Sequence, residues 1–358
     1  MLITLAFLFL KKVGIEKINI ESFLLLAKQS PIIDVRSPAE YQHAHIPGAY
    51  SLPLFTNDER AIVGTAYKQE SREKAIKLGL DFFGPKMKLL VENVEELCAS
   101  NLISSKTILI YCWRGGLRSA TVAWLLDMYG FKVFTLTGGY KNFRKYVLET
   151  FRADFNLHIL GGYTGSGKTE LLHQLEKKGE AIIDLEKSAH HKGSTFGNIG
   201  LQPQPTQEMF ENILATNLNQ FVVQKQKIWI EDESQRIGLV NIPNDFWNNM
   251  RKAPVYFLDV DFEERLHHIV EEYGILEKQK MIDAIGRIQQ RLGGLETKNA
   301  IDHLLNNDTV SCFRILLTYY DRWYEKGLSK RKENNSALST ISCKNVTPLN
   351  VSKLLVDS

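Results

Sequence analysis

Apolar and polar positions alternate between two periods along this chain. Residues 31–35 form a short apolar run closed by charge, and residues 107–111 form another; both read as buried strands. Between 117 and 129 the apolar positions fall at helical spacing, 132–136 reads as a strand stopped by Gly138-Gly139, and 141–151 reads as a helix. The rhythm then starts afresh: strand 157–160, a glycine turn, helix 167–178, strand 181–185, helix 206–224, strands 227–230 and 254–260. From 263 to about 326 the signals are helical, with breaks near Gly274 and Gly293-Gly294. Strand–helix alternation of this kind predicts parallel sheets covered by helices. The fold class expected is α/β: a parallel-sheet domain over 15–152, a second α/β domain over 153–328 with a helical C-terminal part, and a polar tail over 329–358.

Composition changes this picture little. The chain has 358 residues, 44% hydrophobic and 24% charged, as in ordinary globular proteins. A net charge of +3 leaves nucleic-acid binding to local basic patches. The four cysteines, Cys98, Cys112, Cys312 and Cys343, include no Cys-x-x-Cys pair, which reads as a reduced, cytoplasmic chain without a disulfide framework. Residues 1–10 are apolar but too short to cross a bilayer, which takes about 20 residues. They lack a basic leading region and a small-residue cleavage site, so the expectation is a first strand or an over-extended start, with no membrane association.

Two segments carry chemistry. The first is Cys112-Trp113-Arg114-Gly115-Gly116-Leu117-Arg118-Ser119, which follows a strand and opens a helix. A loop in that context aims backbone N–H groups at the sulfur, and the helix N-terminus adds partial positive charge. Both favour the thiolate, which is the nucleophile. Gly115 and Gly116 allow the loop to wrap, and Arg114 and Arg118 suit an anionic donor. Cys112 is therefore the candidate catalytic residue, with Trp113 to Arg118 as its anion cradle.

The second segment, from Gly162 to Thr169, fits G-x-x-x-x-G-K-[ST] between a strand and a helix. Gly162, Gly165, Ser166 and Gly167 would wrap a diphosphate, Lys168 would supply charge, and the Thr169 hydroxyl would ligate Mg²⁺. The apolar strand ending in Glu231-Asp232-Glu233 offers a second Mg²⁺ ligand, Asp232 first and Glu231 second. His190 and His191 lack a partner at ligand spacing, so a substrate-contacting loop is expected there in preference to a metal site. These residues alone reach a reactive cysteine joined to a phosphate loop. A sulfurtransferase fused to an ATP- or GTP-dependent kinase-like domain acting on a small molecule remains open, as does a non-catalytic RNA-binding module, against which the intact Cys112, Lys168 and Thr169 argue.

The cysteine loop resembles the rhodanese active site, and Asp34-Val35-Arg36, Glu40-Tyr41 and His45-Ile46-Pro47-Gly48-Ala49 resemble the rhodanese N-terminal signature. That resemblance implies that Cys112 carries sulfur or selenium, that Asp34 and Arg36 support the loop, and that His45 is packed and not a base. The order of the two domains, with Asp184-Leu185-Glu186, His191-Lys192-Gly193-Ser194, Phe196-Gly197, Gln204-Pro205 and Glu231-Asp232-Glu233-Ser234, is similar to the tRNA 2-selenouridine synthase family over about 33–323. The resemblance implies conversion of wobble 2-thiouridine in tRNA to 2-selenouridine, with selenophosphate and geranyl diphosphate as co-substrates, an S-geranyl intermediate, and a selenophosphate-supplying enzyme as a partner. The stretch between Ala49 and Cys112 is longer than in an ordinary rhodanese. Its Lys68, Arg72, Lys74 and Lys77 are spaced for one helical face; with Lys141, Arg144 and Lys145 they are the candidate tRNA contacts.

Overall fold

The computed structural model describes residues 14–100, 106–222, 226–333 and 337–357. The expectation for residues 1–10 lies outside them. The chain divides into two units, 1–149 and 150–358, a few residues before the boundary expected from sequence.

The first unit runs β1 (Glu16–Ile18), α1 (Ile20–Leu26), β2 (Ile32–Asp34), α2 (Pro38–His43), β3 (Ala49–Ser51), α3 (Asn57–Gln69), α4 (Arg72–Phe83), α5 (Met87–Ser100), β4 (Thr107–Tyr111), α6 (Leu117–Tyr129), β5 (Lys132–Leu136) and α7 (Gly139–Thr150). Its sheet is parallel throughout, in the order β1-β5-β4-β2-β3. The central strand β4 buries Ile108, Leu109, Ile110 and Tyr111 completely, as expected for a strand covered on both faces. Helix α6 buries Val122, Ala123, Leu125 and Leu126 and ends at Gly130, whose φ of 118° closes the cap. Truncating Leu126 to alanine would cost about 2–5 kcal/mol.

The insert between β3 and β4 corrects one expectation. Lys68 does not share a helical face with Arg72, Lys74 and Lys77. The chain breaks between them because the Ser71 hydroxyl accepts a hydrogen bond from the Lys74 N–H at 3.1 Å and starts a new helix. Lys68 closes α3, and the other three lie on α4, against which α3 packs.

The second unit runs β6 (Leu157–Gly162), α8 (Lys168–Lys177), β7 (Ala181–Ile183), α9 (Leu185–Ala189), α10 (Gln207–Val222), β8 (Ile228–Glu231), β9 (Arg236–Ile237), β10 (Val240–Asn241), α11 (Asn244–Lys252), β11 (Val255–Val260), α12 (Phe262–Tyr273), α13 (Lys278–Arg287), α14 (Gln289–Leu292), α15 (Gly294–Leu305), α16 (Thr309–Glu333), β12 (Leu338–Cys343) and α17 (Val351–Asp357). The main sheet is again parallel, in the order β12-β11-β6-β8-β7. The helical region from α12 to α16 has its own core, built on Met281, Ile285, Leu304, Phe313, Leu316 and Leu317. It also breaks at Asn307, where a φ of 64° suits asparagine, a stop that glycine counting does not find.

The segment expected as a polar tail is corrected as well. Residues 338–343 are the edge strand of the second sheet, paired in parallel with β11 from Val255↔Leu338 to Val260↔Cys343. Ile341, Cys343, Val351 and Leu354 are buried with Leu171 and Leu258 in one cluster. Among the described residues no helix is long and apolar enough to cross a membrane.

Candidate active site

Both chemical segments lie at the carboxyl ends of parallel strands, where open α/β sheets bind ligands. Cys112 follows β4 and is buried. The loop behind it rests on the turn that opens α7: the Tyr140 N–H donates to the Cys112 carbonyl at 2.8 Å and the Lys141 N–H to the Trp113 carbonyl at 3.0 Å. The Ser119 hydroxyl donates to the Gly116 carbonyl at 3.1 Å, and its oxygen lies 3.2 Å from the Cys112 sulfur. Serine at this position was visible in the motif, but its contact with the sulfur was not.

The two arginines of the loop differ: Arg114 is exposed, whereas Arg118 is half-buried. Arg118 is held by Glu40, Nη1 to Oε2 at 2.7 Å, and Glu40 also accepts the Ser37 N–H at 3.0 Å. Burial works to raise the Glu40 carboxyl, but the Arg118 hydrogen bond and charge outweigh it and hold the pKa below the ordinary carboxylate range. Arg118 therefore enters the cradle with its charge already paired. Trp113 and Leu117 are exposed beside the loop.

Asp34 and Arg36 form a buried ion pair that supports this framework. Arg36 reaches the Asp34 carboxylate through Nε and Nη2 and donates to the Ala44 carbonyl at 2.6 Å, with its guanidinium 3.9 Å from the Tyr140 ring centroid. The Tyr111 hydroxyl donates to Asp34 at 2.6 Å. His45 stacks on Tyr41 at 3.9 Å, and burial lowers its pKa. Lys68, Arg72, Lys74, Lys77, Lys141 and Lys145 are all exposed, whereas Arg144 is half-buried.

In the second unit, the loop from β6 to α8 lines one side of a cleft of about 890 Å³. Gly165 and Gly167 have φ values of 81° and 75°, left-handed conformations of the kind from which anion-binding loops are built, and between them the Ser166 N–H donates to the Tyr163 carbonyl at 3.2 Å. Lys168 folds over the loop and donates to the Gly162 carbonyl at 3.0 Å and the Tyr163 carbonyl at 3.3 Å. The Ser166 hydroxyl is buried without a partner. Arg265 donates to the Thr164 carbonyl at 3.1 Å and grips Asp321 through both Nη atoms.

Carboxylates face this loop. The Thr169 hydroxyl donates to Glu186 Oε2 at 3.1 Å. Burial pushes the Glu186 carboxyl up to about 7, opposed by Lys168 and the Thr169 hydrogen bond. Burial pushes Glu233 up to about 8, with the Glu186 charge adding to it. Asp232 also lines the cleft and lies 3.7 Å from Arg251. Glu231, the second sequence candidate for metal, is instead fully buried behind it: it accepts the Leu185 N–H at 3.1 Å, and burial holds its pKa well above the usual range. Glu186 entered the sequence analysis only within the family motif Asp184-Leu185-Glu186 and was given no role there; its meeting with Thr169, 17 positions away, is set by the sheet. Residues 192–195 line the cleft, but His190 and His191 do not.

Aromatic rings also line the cleft. Tyr319, Tyr320, Trp323 and Tyr324 of α16 line it, with Tyr273 of α12 and Trp247 of α11. The Tyr324 ring centroid is 5.3 Å from Lys168 Nζ.

Comparison with known proteins agrees with this division. Residues 22–146 match the model of the rhodanese-like domain, and residues 155–347 match that of the tRNA 2-selenouridine synthase AAA domain. The tRNA 2-selenouridine synthase of Hydrogenovibrio crunogenus is 35% identical over 340 residues, covering 86% of this chain and 92% of that protein. The chain belongs to the tRNA 2-selenouridine synthase family. The synthase of Bdellovibrio bacteriovorus is 34% identical over 86% of this chain and 91% of its own length. That of Nitrosomonas europaea is 36% identical over 70% of this chain and 65% of its own. Among solved structures, the N-terminal domain of a putative ATP/GTP binding protein from Clostridium difficile is 38% identical over 37% of this chain, with a TM-score of 0.34. The synthase-family match to residue 347 takes in β12, in keeping with that strand's place in the sheet.

Proposed function

We propose that this chain converts wobble 2-thiouridine in tRNA to 2-selenouridine, using selenophosphate and passing through an S-geranyl intermediate made from geranyl diphosphate. The observation that carries this reading is that one family member holds both a buried thiol against the Ser119 hydroxyl at the head of a helix and a phosphate loop opening onto an aromatic-lined cleft. In the first step the 2-thio sulfur attacks C1 of the geranyl group, the C1–O bond breaks, and the N3 proton leaves the base. The N–H groups of the phosphate loop and Lys168 stabilise the departing diphosphate, an electrostatic task for a preorganised site. In the second step selenide-level selenium from selenophosphate adds at C2, the C2–S bond breaks with geranylthiol as the leaving group, and water cleaves the P–Se bond to release phosphate; Cys112 takes part in delivering that selenium to the base.

Mg²⁺ fits the donor set. Thr169, Glu186 and Asp232 offer hard oxygens, and a cation would keep ionised the Glu186 carboxyl, which burial pushes up to about 7. A bound Mg²⁺ would supply charge neutralisation for the diphosphate. The exposed Lys68, Arg72, Lys74, Lys77, Lys141 and Lys145, with Arg144, are the proposed tRNA contacts; a selenophosphate-supplying enzyme is the proposed partner, and the cytoplasm the proposed location.

The test is nucleoside mass spectrometry of tRNA after reaction with protein, selenophosphate and geranyl diphosphate. Cys112→Ala is expected to accumulate S-geranyl-2-thiouridine, and Lys168→Ala to leave 2-thiouridine unchanged. Absence of geranylated product from a folded, tRNA-binding Cys112→Ala variant would refute the division of labour. Nucleotide turnover without any geranyl transfer by the wild type would favour the kinase-like reading.

A further inference from the structure

Trp113 follows Cys112 directly, and its indole is held by buried partners. Its ring centroid lies 5.6 Å from that of Tyr140, and the Arg36 guanidinium lies 5.9 Å from the Trp113 centroid and 3.9 Å from that of Tyr140. Tyr140 is fully buried, and Arg36 is buried with its charge taken up by Asp34. The backbone is fixed as well, by the Lys141 N–H on the Trp113 carbonyl. An indole held from behind by a ring and a cation has little freedom left to lose when a ligand arrives.

Yet 38% of Trp113 stays exposed, next to a cysteine that is 3% exposed. A single exposed apolar residue is ordinary and carries no meaning alone. Trp113 differs in being both clamped and adjacent to the nucleophile. Neighbouring Cα atoms lie about 3.8 Å apart, so a flat molecule laid on the open part of the indole sits beside the cysteine loop. The rest of the loop offers a flat molecule little else. Gly115 and Gly116 have no side chains, and Arg118 is already bound to Glu40.

Selenium delivery requires C2 of a pyrimidine at Cys112. The wobble position lies in a single-stranded loop, whose bases can be splayed out and stacked on aromatic side chains. Lysines that meet phosphates fix the RNA backbone but do not orient a base. An aromatic face beside the thiol does.

We propose that Trp113 is the stacking platform for the wobble base during selenium delivery and holds C2 beside Cys112. This rests on the reading of the chain as a selenium transferase acting on tRNA.

The experiment gives the full-length chain an anticodon stem-loop with wobble 2-thiouridine, together with selenophosphate and geranyl diphosphate. Trp113→Ala should lower kcat/KM for 2-selenouridine formation by roughly tenfold or more, the range covered by loss of one base–aromatic stack. Trp113→Phe keeps a π-face and should keep most of the activity. Trp113→Leu fills the space without one and should be as slow as the alanine variant, which keeps the test open if that variant fails to fold. A second readout separates stacking from loop support. The tryptophan emission that Trp113→Phe removes should be quenched by the stem-loop carrying its wobble base and not by the same stem-loop made abasic there. A ring that only packs on Tyr140 and Arg36 would not sense the base. Undiminished selenation by folded Trp113→Ala or Trp113→Leu, or quenching indifferent to the base, would overturn the platform alone. A wild type that forms no 2-selenouridine would overturn the tRNA reading and the platform with it.

Discussion

Gly139 shows how one residue can decide whether the cysteine loop exists. Its φ is 60°, and a Cβ there would collide with the Cys112 carbonyl oxygen and the Gly115 nitrogen. Gly139→Ala is therefore expected to distort the cradle and to destabilise the first unit by about 1–3 kcal/mol, read by urea unfolding, with selenium transfer lost before geranyl transfer. Glu233 makes a second prediction through pH. Burial raises its folded pKa to about 8, above the ordinary 4.5 that the unfolded chain shows, so the folded state holds the proton more tightly. The resulting stability is complete below about pH 4.5 and is lost as pH rises through about 8. Without divalent cation, the melting temperature should fall by roughly 4 °C or more between pH 5 and 8, equivalent to about 1–2 kcal/mol. Glu233→Gln should flatten that slope, and Mg²⁺ with a diphosphate should raise the melting temperature most at high pH, where the carboxylates are ionised. A melting temperature that is level across this range in the wild type would contradict the buried-carboxyl account.

At the scale of elements, the strands that sit mid-sheet were legible, and of the edge strands β7 was while β1, β3 and β12 were not. Strands β4 and β5 and helix α6 were read with their true bounds, because an apolar run between charges or a helical repeat ending in Gly130 has few alternatives. Strand β12 was missed because Leu338-Ser339-Thr340-Ile341-Ser342-Cys343 buries only Ile341 and Cys343, and an edge strand needs no continuous apolar run. The three-residue strands β1 and β3 lie below what periodicity can show. Ile341→Asp should unfold the second unit and abolish geranyl transfer, while the full-length variant keeps the melting transition of the first unit by circular dichroism. The hairpin of α3 and α4 carries a different expectation. If its lysines and arginine meet phosphates, log affinity for tRNA falls linearly with log salt, with a slope near −0.9 per contact on a duplex. Replacing Lys68, Arg72, Lys74 and Lys77 by glutamine should reduce that slope and weaken binding at low salt by at least about tenfold, measured by filter binding. An unchanged slope would move the RNA contact elsewhere.

For the whole molecule, the two candidate sites were legible as contiguous motifs, but their surroundings were not. Glu40 reaches Arg118 across 78 positions, and Glu186 meets Thr169 only because β7 lies two strands from β6 in the sheet. The aromatic rings of the cleft come mostly from α16, some 150 residues after the phosphate loop, at spacings that also describe an ordinary buried helix. The division into two units leads to a test of the two steps in mixture. Cys112→Ala supplies geranylated tRNA, and Lys168→Ala keeps an intact Cys112. The two variants together should form 2-selenouridine that neither forms alone; its absence would mean that the intermediate never leaves the chain that made it. Strand β12 also has a consequence for biosynthesis. The ribosome releases the first unit whole, with its sheet completed by β5, long before residues 338–343 emerge. Until they do, β11 presents an open row of amides and carbonyls at the margin of a hydrophobic sheet. Stalled translation or a late frameshift would therefore yield a chain whose cysteine domain is sound and whose phosphate domain is sticky. Such products should be sought among chaperone clients and insoluble aggregates, because half of the molecule would still fold while the other half recruits neighbours.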